Sequence, residues 1–391
     1  MPDELFDAGL VPAAIARETD DLAWARAMLD FEVALAATQA ELGLVPAPAA
    51  AAISAAAEAL PLDPATLGRD AARTGTPAEP LVRRLRAAAG EEAAPWVHHG
   101  ATSQDVVDSA ALLVARRALA HVEAELSAVA GACADLAERH RATPMLARTL
   151  LQPALPTSFG LVAARWMVGV EEARERLREV AERRLAVQLG GPAGTLAALG
   201  TDGPAVATAL AARLDLRAPA LPWHTLRGPI HALAGGLDEA AGAAGKAALD
   251  VVLLSQAEVG EVAEPRDGDR GGSSSLPHKR NPIGSVLALA GARRTHAAAA
   301  LLTGAMEQEH ERAATGAWHS EWPALRDALA LTGGVAAAVA GVLGGLEVRE
   351  DRMRENLAAS GVPGSGGVLG DATAHLAAAA AFVDRALERR P

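Results

Sequence analysis

The chain has 391 residues, 50% of them hydrophobic, with 48 acidic against 36 basic side chains and a formal net charge of −12. This supplies apolar surface for a sizeable core and argues against global disorder, while the lack of a Lys/Arg-rich run argues against a nucleic-acid partner. The single cysteine, Cys133, excludes an intrachain disulfide framework and a cysteine-rich zinc site. Aromatics make up 3%, tyrosine is absent and alanine recurs throughout, so closely packed α-helices are the expectation. The N-terminus, MPDELFDAGL, lacks the basic-then-apolar pattern of a signal peptide, and the expected location is cytoplasmic.

Residues 1 to about 100 read as short helices broken by turns at Pro46, Pro48, Pro61 and Pro64. A long helix follows, with a seam of Val122, Leu126, Val129, Cys133 and Leu136 at four-three spacing that places Cys133 in the core. It ends before Thr143-Pro144, since proline disfavours helical geometry in the residue before it. A second long helix is expected from about Pro156 to Gln188, closed by Gly190-Gly191-Pro192, and a third from about Ile230 to Val262. The polar, Gly-rich stretch EPRDGDRGGSSSLPHKRN comes next, and a fourth helix opens with Asn281 as N-cap and Pro282 at the first helical position. A fifth covers roughly Trp322 to Gly345. Its uncharged stretch, Ala328 to Leu346, is long enough to span a membrane but is Ala/Gly-rich, so a buried helix in an oligomer core is expected and no membrane. The expected fold is therefore all-α, with an N-terminal helical domain (1–104), a central five-helix bundle (105–345) carrying a loop at 263–281, and a short C-terminal helical domain (346–391).

The stretch Gly271 to Pro282 concentrates glycines, hydroxyls, Lys279, Arg280 and a helix start, a combination suited to holding an anion. Taken alone, such a Gly/Ser segment also fits a linker. Gly272-Ser273-Ser274-Ser275-Leu276-Pro277-His278-Lys279-Arg280-Asn281-Pro282 nevertheless resembles the signature loop of the fumarase/aspartase superfamily, G-S-S-x-M-P-x-K-x-N-P, departing only at Leu276. His98-His99-Gly100-Ala101-Thr102-Ser103-Gln104-Asp105 resembles that family's H-x-G-x-T-S-x-D block, and Arg148-Thr149-Leu150-Leu151-Gln152 its R-T-H-x-Q block. Partial matches at 188–195, 222–225 and 256–262 extend the likeness over about residues 10 to 345.

The resemblance implies an L-aspartase-like, all-α enzyme that works as a homotetramer with shared active sites and without metal or organic cofactor. It implies catalytic roles for Ser273, which transfers a proton at the carbon next to a carboxylate, and for Lys279 and His98. Thr102, Ser103, Arg148, Thr149, Gln152, Ser274 and Asn281 take substrate-binding positions.

One departure chooses among reactions. Lyases of the superfamily carry a histidine where this chain has Leu150, and leucine can neither donate nor orient a proton. Expelling an amine or hydroxide is helped by an acid. Opening a lactone expels a carboxylate, whose parent acid has a pKa of about 4, and needs none. The branch of the superfamily that lactonises 3-carboxy-cis,cis-muconate to 4-carboxymuconolactone in aromatic-acid breakdown also lacks this histidine. Gly316-Ala317-Trp318-His319-Ser320-Glu321-Trp322-Pro323 is similar to that branch too. A tricarboxylate substrate is the expectation. The rivals are an adenylosuccinate-lyase-like enzyme using His98 or His319 as acid, an enzyme acting on a different lactone, and a non-catalytic helical assembly protein.

Overall fold

The computed structural model describes residues 5–266, 268, 271–272, 279–310, 315–363 and 373–390. Five helices lead, four of them short and α2 of 21 residues: α1 (Ala13–Thr19), α2 (Asp21–Glu41), α3 (Ala47–Ala59), α4 (Pro64–Thr74) and α5 (Ala78–Ala89). Their limits follow local chemistry. The Asp20 carboxylate accepts from the Ala23 N–H at 2.8 Å to start α2, Asp63 does the same for α4, and Gly75 closes α4 in the left-handed conformation at φ 76°.

The 37-residue helix α6 (Ser103–Arg139) has Thr102 at its N-cap position, and its Val122-to-Leu136 seam is buried throughout. Cys133 lies in that seam, and burial pushes its thiol pKa well up, so it stays protonated and inert. The hairpin β1 (Pro144–Thr149)–β2 (Gln152–Ser158) follows, then α7 (Phe159–Arg183) and α8 (Gly203–Arg213). Next come α9 (Gly228–Leu254), β3 (Val262–Ala263), α10 (Ile283–Gly304), α11 (Ala317–Gly344), β4 (Glu347–Val348), α12 (Glu350–Ala359) and α13 (Thr373–Leu387).

The five long helices α6, α7, α9, α10 and α11 alternate in direction, and cross-links show which ends meet. Near the start of α6, Asp108 binds Arg227, just before α9, and Arg227 also binds Glu321, near the start of α11. Toward the other end, the Trp166 indole donates to Asp250 at 2.7 Å. Small side chains let these axes approach closely: a Cβ on Gly236 would lie 2.8 Å from Leu177, and one on Gly291 2.8 Å from Val335.

Four expectations are corrected. Helix α7 is shorter at both ends than 156–188, because Pro153 and Pro156 suit an edge strand better than a helix interior and residues 152–158 pair with β1. Helix α9 stops at Leu254, since Gly260 turns the chain at φ 62° and Val262–Ala263 pair with β4. Asn281 does not cap α10. Its side-chain N–H donates to the Gly271 carbonyl at 3.1 Å, and the Glu264 carboxylate takes the N–H groups of Gly284 (3.0 Å) and Ser285 (2.7 Å), placing negative charge at the helix's positive end. Helix α11 starts five residues before Trp322 and runs through Pro323, because Trp318 and Glu321 are anchored to Asp108 and Arg227. The most apolar 18-residue window of α11 is 67% buried inside the bundle, so the helix is core.

Helix α13 is fastened across α6 and α7 by Arg141–Asp384, Arg389 with Glu172 and Glu175, and Arg390 with Asp135 and Glu138. Exposed pairs of this kind contribute little each and act mainly by fixing register.

Candidate active site

Three candidate residues gather at the start of α6. The helix's free N–H groups need acceptors, and Asp105 at the third helical position supplies a buried one. Its carboxylate accepts from the N–H groups of Thr102 (3.0 Å), Gly190 (3.0 Å) and Gly191 (2.9 Å), and lies 2.6 Å from His224 Nε2. One side chain thus ties α6 to two loops that lie far off in sequence. The Gly190-Gly191 pair is needed here sterically: a Cβ on Gly191 would meet the Gly100 carbonyl at 2.8 Å. Thr102 and Ser103 are half-buried at the rim, where hydroxyls and backbone dipoles can meet an anion.

Just before them, His98 takes a left-handed backbone at φ 63°, and its Nδ1 lies 2.6 Å from Glu32 on α2. Burial opposes a charge on the ring, but the Glu32 carboxylate more than offsets this, with Asp105 helping and Arg86 opposing, so the pKa of His98 stands above its ordinary value.

Beneath lies a buried ionic cluster. Arg227 bonds Asp108 at 2.8 and 3.0 Å and Glu321 through both its oxygens, stacks at 4.8 Å on Trp223, and is 1% exposed. Trp318 Nε1 donates to Asp108 at 2.9 Å and Gln308 Nε2 to Glu321 at 3.1 Å. Desolvation raises the pKa of Glu321 despite Arg227, and Asp108 adds to the rise. His319, one of the rivals' candidate acids, instead contacts the Gly75 carbonyl at 2.9 Å through Nε2.

The other candidates lie at the opposite end. Arg148, Thr149 and Gln152 sit on the β1–β2 hairpin, with Thr149 and Gln152 paired across a two-residue turn. That turn is Leu150-Leu151, both left-handed (φ 51° and 62°), with Leu150 97% exposed. Such a conformation is costly for leucine and is usual for Asn-Gly. Arg148 forms a fork with buried Glu261 at 2.9 and 3.1 Å, and Asn356 Nδ2 donates to the same carboxylate at 2.7 Å. Glu261→Gln is expected to lower stability by about 2 kcal/mol, read by denaturant unfolding, because it weakens two charge-assisted bonds to a group that stays partly buried.

The signature loop leaves and returns at this end as well. The Asn281 N–H and side chain both reach the Gly271 carbonyl, and a Cβ on Gly271 (φ 74°) would fall 2.4 Å from the Asn281 oxygen, so the neck needs glycine. Ser273 and Ser274 lie outside the described residues. Lys279 is exposed and makes no ion pair among the described residues, whereas Arg280 is held by Glu347 at 2.8 and 2.9 Å.

None of Glu32, Asp108, Arg227, Glu261, Glu321 and Asn356 is a candidate site residue by sequence, although Glu261 and Glu321 fall inside the matched stretches 256–262 and 316–323. Only Glu32 carried a signal of its own, as a lone carboxylate on the stripe Met28, Glu32, Leu35, Gln39 at helical spacing.

A family model described as "Lyase" matches residues 12–295. The chain belongs to this lyase family, of the fumarase/aspartase superfamily. It is 46% identical to a 3-carboxy-cis,cis-muconate cycloisomerase of Pseudomonas aeruginosa over 91% of this chain and 78% of that protein. It is also 46% identical to a nitrosuccinate lyase of Streptomyces davaonensis, over 87% of this chain and 74% of that one. The crystal structure of the 3-carboxy-cis,cis-muconate lactonizing enzyme from Pseudomonas putida superposes with a TM-score of 0.90 at 34% identity, covering 99% of both chains.

Proposed function

We propose that this protein is a cytoplasmic 3-carboxy-cis,cis-muconate cycloisomerase acting as a homotetramer. The observation that carries the reading is Leu150, at the tip of the hairpin where family lyases place a proton-handling histidine, in a chain so similar to the Pseudomonas cycloisomerase.

In the forward direction a substrate carboxylate oxygen adds to a double-bond carbon, forming the lactone C–O bond. The π electrons move toward the neighbouring carboxylate as an enediolate, and Ser273 Oγ–H delivers one proton to the carbon and regains it from solvent water before the next turnover. The attacking carboxylate is already ionised, so no base is needed. Lys279 and loop N–H groups stabilise the enediolate charge, while His98, Thr102, Ser103, Arg148, Thr149, Gln152, Ser274 and Asn281 hold the tricarboxylate.

Shared sites are supported by the separation of these residues. Helix α6 has 37 residues, about 55 Å at 1.5 Å per residue. It stands between His98, Thr102 and Ser103 at one end and the hairpin at the other. A single subunit cannot close that gap, whereas antiparallel packing of copies brings opposite ends together. The exposed Leu150 and Leu151 suit burial against such a neighbour.

The test is ultraviolet absorbance of 3-carboxy-cis,cis-muconate with purified protein: the conjugated diene is expected to disappear, with 4-carboxymuconolactone as product. A second reading follows from the nitrosuccinate lyase. Nitrite, like a carboxylate, leaves as a stable anion and does not require an acid at position 150. Release of nitrite and fumarate from nitrosuccinate, with the muconate spectrum unchanged, would replace the first reading with the second.

A further inference from the structure

Helix α2 grips the loop before α6 at two points on one of its faces, two turns apart. Glu32 meets the His98 imidazole at 2.6 Å, and Gln39 Nε2 donates to the His99 carbonyl at 2.8 Å. Between these holds, His98 keeps its left-handed backbone, a conformation that persists only where surroundings over-determine it. Glu32 is 1% exposed, and its second oxygen has no hydrogen-bond partner among the described residues. A buried carboxylate with an unused acceptor is a poor way to stabilise a helix contact, and its retention calls for another explanation.

We propose that Glu32 is a positioning residue: it holds Nδ1–H of His98 inward and so turns Nε2–H outward, toward a substrate carboxylate beside Thr102 and Ser103. No partner for Nε2 is present among the described residues, and the His98 side chain is 14% exposed, so one edge of the ring is anchored and the other is accessible. With both nitrogens protonated the ring donates to Glu32 and to the substrate at once. When it loses a proton, Nδ1–H stays with Glu32 and Nε2 turns a lone pair on the substrate anion. The charged groups facing the ring are Glu32 from α2, Asp105 from α6 and Arg86 from α5, and the two carboxylates favour the donating form.

The inference rests on His98 belonging to the substrate site, so both are tested together. The pH profile of kcat/KM for 3-carboxy-cis,cis-muconate is measured for wild type, Glu32→Gln, Glu32→Asp, His98→Asn and the double variant Glu32→Gln/His98→Asn, with circular dichroism to check folding. Wild-type kcat/KM is expected to fall as pH rises through the His98 pKa. In Glu32→Gln that fall is expected to move to lower pH by about 1 or more, mainly through KM, and the double variant is expected to be no worse than His98→Asn alone. Glu32→Asp keeps the charge but lacks the reach, and should lie between. Independently of activity, histidine C2–H exchange followed by mass spectrometry in a His99→Asn background should show His98 titrating lower without Glu32. An impaired His98→Asn beside a Glu32→Gln with unchanged KM and pH profile would overturn the positioning role and leave the site standing. A fully active His98→Asn would remove both.

Discussion

Ser273→Ala is expected to lower kcat by about 10²–10⁴-fold, the usual contribution of a positioned proton-transfer group. KM should change little, because the substrate's three carboxylates would be held by other residues and the lost interaction exists only in the transition state. Turnover within a few-fold of wild type would sink the assignment. A serine hydroxyl is a weak acid and a weaker base, so its competence depends on nearby cations and N–H donors such as those around Lys279. The same variant also reports on assembly. His98 and the neck of the Ser273 loop sit at opposite ends of one subunit, so oligomers reassembled from a mixture of Ser273→Ala and His98→Asn should include sites with both residues intact. Recovered activity is expected. Its absence, with mixing verified by mass, would place each site within one subunit and contradict the geometry.

Arg227→Ala is expected to cost about 3–5 kcal/mol of stability, the largest effect of any change outside the reacting groups. The guanidinium is buried between Asp108 and Glu321, both almost fully buried themselves, so its loss strands two carboxylates in a desolvated setting. The sign of the pH dependence follows. The pKa of Glu321 is already raised by desolvation in the folded chain, so its contribution favours folding below its unfolded value and is lost as pH rises through the folded one. Removing Arg227 amplifies this, and the deficit should shrink as the carboxylates protonate at acid pH. Denaturant unfolding of Arg227→Ala at neutral and mildly acidic pH checks it. The triple change Asp108→Asn, Arg227→Met, Glu321→Gln, which leaves no net buried charge, should recover most of the loss. If the single variant is as stable as wild type, the cluster is not the anchor described.

The cluster also couples stability to the site. Asp108 lies one turn beyond Asp105, whose carboxylate gathers the Thr102, Gly190 and Gly191 N–H groups and His224. Trp318 and Glu321 hold α11 to the same point. Loosening this junction would shift the α6 start as well, so the least stable variants should also show raised KM.

Much of this protein was legible in the residues alone. Five long helices follow from apolar periodicity and from proline and glycine punctuation, which act locally. The three chemical blocks are local too: a loop such as 272–282 or 98–105 must carry its hydroxyls, glycines and cations in consecutive order to do its work. Leu150 could be seen as a departure because a single missing proton donor changes which leaving group is feasible.

Tertiary structure decided what depends on partners distant in sequence. Asn281 has the right chemistry for an N-cap, yet Glu264, brought close by the β3–β4 pairing, takes the α10 N–H groups and leaves Asn281 to close the loop neck. The last long helix reads as starting near Trp322, whereas Asp108 and Arg227 anchor a further turn before it and α11 starts at Ala317. Glu32 sits in no motif and Glu261 only in a partial match, and each acquires its meaning from a cation or imidazole delivered by another element, His98 in one case and Arg148 in the other. The division of the candidate residues between the two ends of α6 also has no local trace, because it depends on how the helices alternate in direction, a property of packing alone.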